Sequence, residues 1–479
     1  MYIYRSNTRS SVLAVRSSSF SSAACASSPS SSSGGGQDTQ ETTQRRVLRA
    51  RSRIAEERGG GVGNTLRLDL RTMPDSLRRV VAVERSTDYE SISACAEVWS
   101  VLPVASEKDD DVEGESDTKS DPALNPSIRD LDLRLEKTAS GEASLYCLSQ
   151  DLPHALHALV REHAPDAHLE LRINARIPER FCSVEVDIRG HDAEDNAVPS
   201  DAYVASVTEA SVRVRAGRGG AVTLGRIRGG SLDVTTQGGI VSASYVQANT
   251  AIDSLGGDIS LDRLQGATVQ VSSGGGNITL GPTFAGSASI DSGGGHVRMA
   301  SLGASDVARI DSFGGDVETT TGLLDGKVAI NAGVGNVRVS VAESAEDVNC
   351  DTLADASIEC PSQSHIHLTL ESGGGIELGD GIELGDGIRT DSKCSTAHEP
   401  SSISSNTNAC SFEGTLTADD AHGGWQGRIG ATEFADDGSR RLRTVKLRVI
   451  AGGRVALSRG SWFASVFRKK GVNSATPIV

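Results

Sequence analysis

The feature that most limits the fold of this chain is a short unit, centred on a Gly-Gly corner, that recurs through its C-terminal half. The units read RVRAGRGGAVTL, LDVTTQGGIVSA, AIDSLGGDISL, VQVSSGGGNITL, SIDSGGGHVRM, RIDSFGGDVET, AINAGVGNVRV, HLTLESGGGIEL and KLRVIAGGRVAL. Their second corner glycines, Gly239, Gly257, Gly276, Gly295, Gly315 and Gly335, stand 18 to 20 residues apart. Gly375 follows at a double step, and Gly453 marks a last unit. A further repeat, degraded in sequence, is expected in the gap around 350–360. A fixed period near 20 is the mark of stacked repeats.

Each unit supplies two short strands with alternating apolar residues, joined by the glycine corner. Ile252, Ile259 and Leu261 are expected to point inward in one coil, and Val269, Val271, Ile278 and Leu280 in the next. Ile290, Val297 and Met299 follow, then Ile310 and Val317, then Ile330, Val337 and Val339. Equivalent residues stack one strand spacing apart, roughly 4.8 Å. One coil cannot bury its apolar face, whereas several in a row share a core. The corner glycines are expected to serve positive φ, and the polar residues after them (Asp258, Asn277, His296, Asp316, Asn336) to bond nearby backbone. Aromatics make up only 4% of the chain, so the core must be thin layers of Val, Ile, Leu and Ala. The fold class is therefore all-β, a β-solenoid of roughly 20-residue coils.

Upstream, 66–70 and 80–83 read as strands, 128–135 alternates, and 169–173 and 183–188 are period-two strands. Residues 151–163 give one helix, with Asp151 as cap, Pro153 in the first turn and Leu152, Leu156, Leu159 and Val160 on one face. The expected organisation is a transit peptide and disordered linker at 1–60, and then a β-rich region at 61–203 holding an acidic insert (105–127) and a helix near 152–164. Solenoid repeats follow at 204–388, a disordered insert at 389–412, and terminal coils with a cap at 413–470. Ser461, Trp462 and Phe463 are candidates to cover the open end.

The repeats resemble the putative-adhesin β-solenoid family, a Gly-Gly repeat domain of unknown function. The residues that carry the resemblance are the [IV]-D-S-x-G-G-D-[IV]-x-[LV] units, clearest at 252–261 and 310–317, and IPERF at 177–181 ahead of a strand. It covers about 170–390 and 440–467. The resemblance implies a solenoid with a binding or structural role and no catalytic residues to carry over. Some members are organelle-targeted eukaryotic proteins.

The N-terminus favours that branch. Residues 1–37 hold Arg5, Arg9 and Arg16 and long Ser runs, with no Asp or Glu. This is the composition of a transit peptide; a secretory signal needs a longer apolar run. A mitochondrial address is expected, with a plastid as the alternative. Residues 1–58 carry nine Arg against four acids, so the remainder of a chain of net charge -16 is more acidic still. An acidic body repels phosphate backbones, so no nucleic-acid partner is expected. No apolar run is long enough for a transmembrane helix.

Chemistry is sparse. Asp253, Asp291 and Asp311 share one slot in nearby coils, with Ser272 in the intervening one. Stacked carboxylates can do paired acid and base work on a polysaccharide, or they can bond the corner N–H groups. The structural use is preferred, because an enzyme usually breaks its repeat at the site. His154, His157, His163 and His168 cluster near the helix, and His365 and His367 share a strand face, but neither set has the further ligands a metal needs. The eight cysteines contain no C-x-x-C, so no zinc ribbon or thioredoxin motif arises. Cys350 with Cys360, or Cys394 with Cys410, can bridge a loop, but free thiols are preferred. The acidic run at 109–115 reads as a solvated loop before a loose calcium site. No P-loop, nucleophile elbow or calcium nonapeptide occurs. These readings converge on a noncatalytic solenoid that presents a polar face to an unidentified protein partner in mitochondria, with no cofactor. The alternatives are a carbohydrate-active β-helix enzyme and a secreted or surface adhesin.

Overall fold

A β-branched residue at every second position puts one stiff apolar side chain on each side of a polar one, which suits a pleated surface with a single buried face. Stacked in register, such strands form the parallel rungs of a solenoid. The structure is a computed structural model. It describes residues 44–103 (except 53, 59–62, 75 and 87–90), 129–190 (except 141–142, 149–150 and 164–167), 198–360 (except 321–323 and 343), and strands at 365–372, 376–378, 382–384, 410–413, 424–431 and 444–459. The expected cover at 461–463 lies outside these residues, as do the leader and the acidic insert.

Two inward columns run through the molecule. On the run that follows each corner, here the first face, Val222, Val241, Ile259, Ile278, Val297, Val317, Val337 and Ala356 are successive register partners. On the run that enters each corner, the third face, Leu68, Val186, Val214, Val234, Ile252, Val271, Ile290, Ile310, Ile330, Cys350 and Val449 stack in the same way. Every one of them is buried. Burial of each Val or Ile contributes roughly 1.5–3 kcal/mol.

The two-strand reading of the repeat needs a correction. Between those runs lies a third, whose inward residues are Ile227, Val246, Leu264, Thr283, Leu302 and Leu324, all buried. Several strands run through more than one face without a break, as Val222–Gln237 does. This second face carries one large inward residue per coil, followed at most by a buried alanine such as Ala248 or Ala304, too short a stretch to show as alternation. The degraded repeat is present too. Strands Asp347–Thr352 and Ala356–Cys360 form a rung with Cys350 and Cys360 turned into the core.

The rows continue without interruption into 61–203. The strand Thr65–Asp69 lies beside Ser183–Ile188 on the third face, and Arg78–Arg85 beside Asp201–Thr208 on the first. The helix Asp151–His163 links strands Ala143–Leu148 and His168–Ile177 and buries Leu152, Leu156 and Leu159. The alternation at 128–135 is not one strand: Arg129–Leu131 ends before Leu135–Ser140 begins. Both limits of the array switch to antiparallel pairing. Ser91–Pro103 runs against His168–Ile177 at one limit, and Gly424–Ala431 against His365–Ser372 at the other. No described helix is long and apolar enough to cross a membrane.

Candidate functional site

The corners concentrate the repeated polar groups, so any repeated function must start there. Their glycines are required for a reason other than the one expected. Gly239, Gly257, Gly276, Gly295, Gly315 and Gly335 do not have positive φ. The constraint is contact between coils. A Cβ on Gly276 would sit 2.3 Å from the carbonyl oxygen of Gly257, and one on Gly295 2.1 Å from that of Gly276. The other four corners are as tight, at 1.8–2.1 Å, and at Gly453 a Cβ would meet Asp355 Oδ1 at 2.2 Å. Positive φ falls one or two residues earlier, at Gly238, Gly256, Gly274, Gly275, Gly293 and Gly294, and also at the non-glycine residues Leu255 and Phe313. Gly375 lies outside the described residues.

Inside five of the six corners is a hydroxyl that the sequence reading passed over; at the Gly335 corner Ala332 takes its place. Ser254, Ser273, Ser292 and Ser312 are fully buried. Each Oγ donates to the carbonyl of the second corner glycine of its own coil, at 2.5 Å. Each also lies 3.0–3.5 Å from a corner carbonyl of the next coil. Thr236 does the same with Gly239 and Ser254. The signal was available: Ser254 stands two residues after inward Ile252, so it must also face in. A buried hydroxyl is tolerated only where it is hydrogen-bonded.

The candidate carboxylates are spread along the outside of the third face. Asp291 and Asp311 are register partners on adjacent rungs. Asp253 is two rungs from Asp291, across Ser272. Asp253 accepts from the backbone N–H of Leu255 at 3.2 Å, and Asp291 from that of Gly293 at 2.9 Å. Asp311 accepts instead from Arg309 Nε at 2.6 Å. Two of the three therefore stabilise the turn, and the third is held in an ion pair.

Outside the corner a second polar column runs along the axis. The side chains of Asp258, Asn277, His296, Asp316, Asn336 and Asp355 each accept from the backbone N–H of the equivalent residue one coil on, at 2.7–3.4 Å. They do bond backbone, as expected, but between coils. In this column His296 accepts through Nδ1, at 3.0 Å from the Asp316 nitrogen.

Other candidates stay apart. His154, His157 and His168 are all exposed. Among the described residues no three His, Cys, Asp or Glu side chains come together as a metal site. The side chains of His163, His365 and His367 lie outside the described residues. Cys95, Cys147, Cys182, Cys350 and Cys360 are free thiols. Burial pushes Cys182, Cys350 and Cys360 up to about 12, so they are inert packing groups at neutral pH. A shallow groove of about 420 Å³ lies over the first face at Asp316, Glu318, Asn336, Arg338, Asp355 and Arg454. Within it Glu318 pairs with Arg338 at 3.8 Å and with Arg298 at 3.6 Å.

No curated protein matches the sequence. A solved structure of a putative cell adhesion protein from Clostridium sporogenes is similar over 87% of this chain and 100% of that one, at 7% identity and a TM-score of 0.13. At that score the likeness carries no argument. The sequence comparison is more specific, since residues 200–377, which hold the regular coils described above, match the Toastrack DUF4097 family.

Proposed function

We propose that this chain is a noncatalytic β-solenoid that serves as an interaction scaffold for a protein partner inside mitochondria. One observation carries the first half. The repeated polar groups are already engaged within the coils: Asp253 and Asp291 bind corner amides, Asp311 binds Arg309, and the buried serines bind corner carbonyls. A glycosidase needs a carboxyl group free to reach a glycosidic oxygen. The acid-free, Arg- and Ser-rich stretch at 1–37 supports the second half.

The test has two arms. A C-terminal tag, read by imaging and by the mass of the mature chain, should find a protein inside mitochondria that has lost its leader. An intact chain at the cell surface overturns the address. Photo-crosslinkers placed outward on each of the three faces should capture one recurrent protein partner. Cleavage of a polysaccharide that is lost in both Asp291→Ala and Asp311→Ala, with unchanged melting, assigns an enzyme instead.

A further inference from the structure

The outward arginines of this molecule are not all used alike. Arg213 pairs with Asp233 at 2.9 Å, Arg298 and Arg338 share Glu318, and Arg309 pairs with Asp311. The second face differs. There Arg226 and Arg228 stand on one rung, Tyr245 and Gln247 on the next, Arg263 and Gln265 on the third, and Phe284 on the fourth. Among the described residues Arg226, Arg228 and Arg263 make no ion pair, although Glu209 and Asp262 stand at the edges of the strip. The guanidinium carbons of Arg228 and Arg263 each lie 5.6 Å from the centre of the Tyr245 ring. The Tyr245 hydroxyl is 3.1 Å from Gln247 Oε1 and 3.4 Å from Gln265 Oε1. Phe284, in a chain poor in aromatics, is 51% exposed.

Three neighbouring cations that make no ion pair, on a chain of net charge -16, form a local site for an anion. Stacking on Tyr245 holds two guanidinium groups in place before any ligand arrives, which lowers the ordering cost of binding. A planar guanidinium recognises a carboxylate through two parallel hydrogen bonds. We propose that this strip is the docking surface for an extended acidic segment of the protein partner; the inference rests on the scaffold reading above. The strip is flat and spans three strand spacings, about 14 Å, a length that four or five residues of extended chain cover. Carboxylates of the segment meet Arg228 and Arg263, the Gln amides reach its peptide groups, and Phe284 receives an apolar side chain. A longer polyanion, such as a nucleic acid, would have to continue over the acidic surface beyond the strip.

The probe is a fluorescein-labelled ten-residue glutamate peptide with one central Phe, titrated against the full chain and read by anisotropy. The wild-type chain should bind it, and the Arg228→Ala/Arg263→Ala double variant should weaken binding at least tenfold with unchanged melting. Tyr245→Ala should weaken it as well, through loss of arginine positioning. Arg298→Ala/Arg338→Ala on the first face should leave the affinity as it is. Equal weakening by both double variants, no effect of the first, or tighter binding of oligogalacturonate or a single-stranded oligonucleotide overturns the assignment. Crosslinking separates the two readings. If a partner is still captured on another face of the Arg228→Ala/Arg263→Ala variant, the strip fails and the scaffold reading stands. If no face of the wild-type chain captures a partner while the peptide binds the strip, the scaffold reading fails on its own.

Discussion

The middle of the solenoid and its two limits are built by different rules. From about 212 to 342 each rung is laid beside the one that precedes it in sequence. At each limit a rung is inserted from far along the chain. Thr65–Asp69 lies between Ala143–Leu148 and Ser183–Ile188, and Arg78–Arg85 between His168–Ile177 and Asp201–Thr208. At the other limit Thr444–Ala451 lies between Asp347–Thr352 and His365–Ser372, and Val455–Arg459 between Ala356–Cys360 and Ile376–Leu378. A purely sequential array frays from its ends, because each repeat rests only on its neighbours. An inserted rung ties the terminal strands to chain more than a hundred residues away in the first case, so an end rung cannot leave without releasing its partner.

The adhesive chemistry differs accordingly. The middle uses serine hydroxyls and glycine carbonyls, repeated coil after coil. The N-terminal insertion uses buried charge. Arg79 is 2% exposed and donates to the carbonyls of Met73 (2.8 Å), Pro74 (3.1 Å) and Ile188 (3.2 Å). Glu170 is equally buried and pairs with Arg172 and, at 3.5 Å, with Arg78, which in turn reaches Asp201 at 2.7 Å. This network crosses three strands that are not consecutive in sequence.

The largest expected effect tests the middle. Gly276→Val drives side-chain atoms into the Gly257 carbonyl and should cost more than about 4 kcal/mol, read as a collapse of the denaturation midpoint. Gly275→Ala has no atom within 4 Å of its new Cβ but keeps a φ of +125°, and should cost only about 1–2 kcal/mol. Similar losses from both would show that contact between coils is not what selects the second glycine. Next is the N-terminal insertion. Arg79→Leu strands three buried carbonyls and should cost about 3 kcal/mol. Hydrogen exchange should show 65–69 and 78–85 opening first while 259–310 stays protected. A uniform loss of protection would mean that the limits and the middle unfold as one unit.

A pH effect probes the junction at the C-terminal limit, where Cys350 stacks between Ile330 and Val449. Its thiol is raised from an ordinary value of 9.0 to about 12 in the fold. Stability from the neutral buried thiol is complete below pH 9 and is lost as pH rises toward 12. The loss should be about 2 kcal/mol by pH 10.5. Cys350→Val should remove that part of the alkaline slope, and an unaltered slope would place the titration elsewhere. The smallest effect is Ser273→Ala, at about 1–2 kcal/mol. Ser254→Ala and Ser292→Ala should match it, because their bonds are the same. A large spread among the three would end the view of the middle as equivalent coils.

Much of this architecture was legible because the fold is periodic. The inward parity of Ile252, Val271, Ile290 and Ile310 follows from alternation, and the stacking of coils follows from a spacing of 18 to 20 residues. The helix at Asp151–His163 was legible from its cap and its Leu face. The serine column was implicit in the same parity and went unread, because Ser next to Asp and Gly looks like turn chemistry. The sequence also left open whether the acids of the Asp slot would face a substrate or the corner. Their partners lie within a few residues, yet only the backbone geometry of the turn decides which N–H groups are in reach.

An all-β solenoid with thin aliphatic layers is written into the residue order alone, because alternation and a fixed period are local properties that each coil states again. Three things depended on tertiary contacts: which glycines are crowded rather than twisted, where the second face runs, and that each limit is closed by a rung from elsewhere in the chain. Those depend on contacts between coils and on pairing across long stretches of sequence, and no repeat unit encodes either one alone.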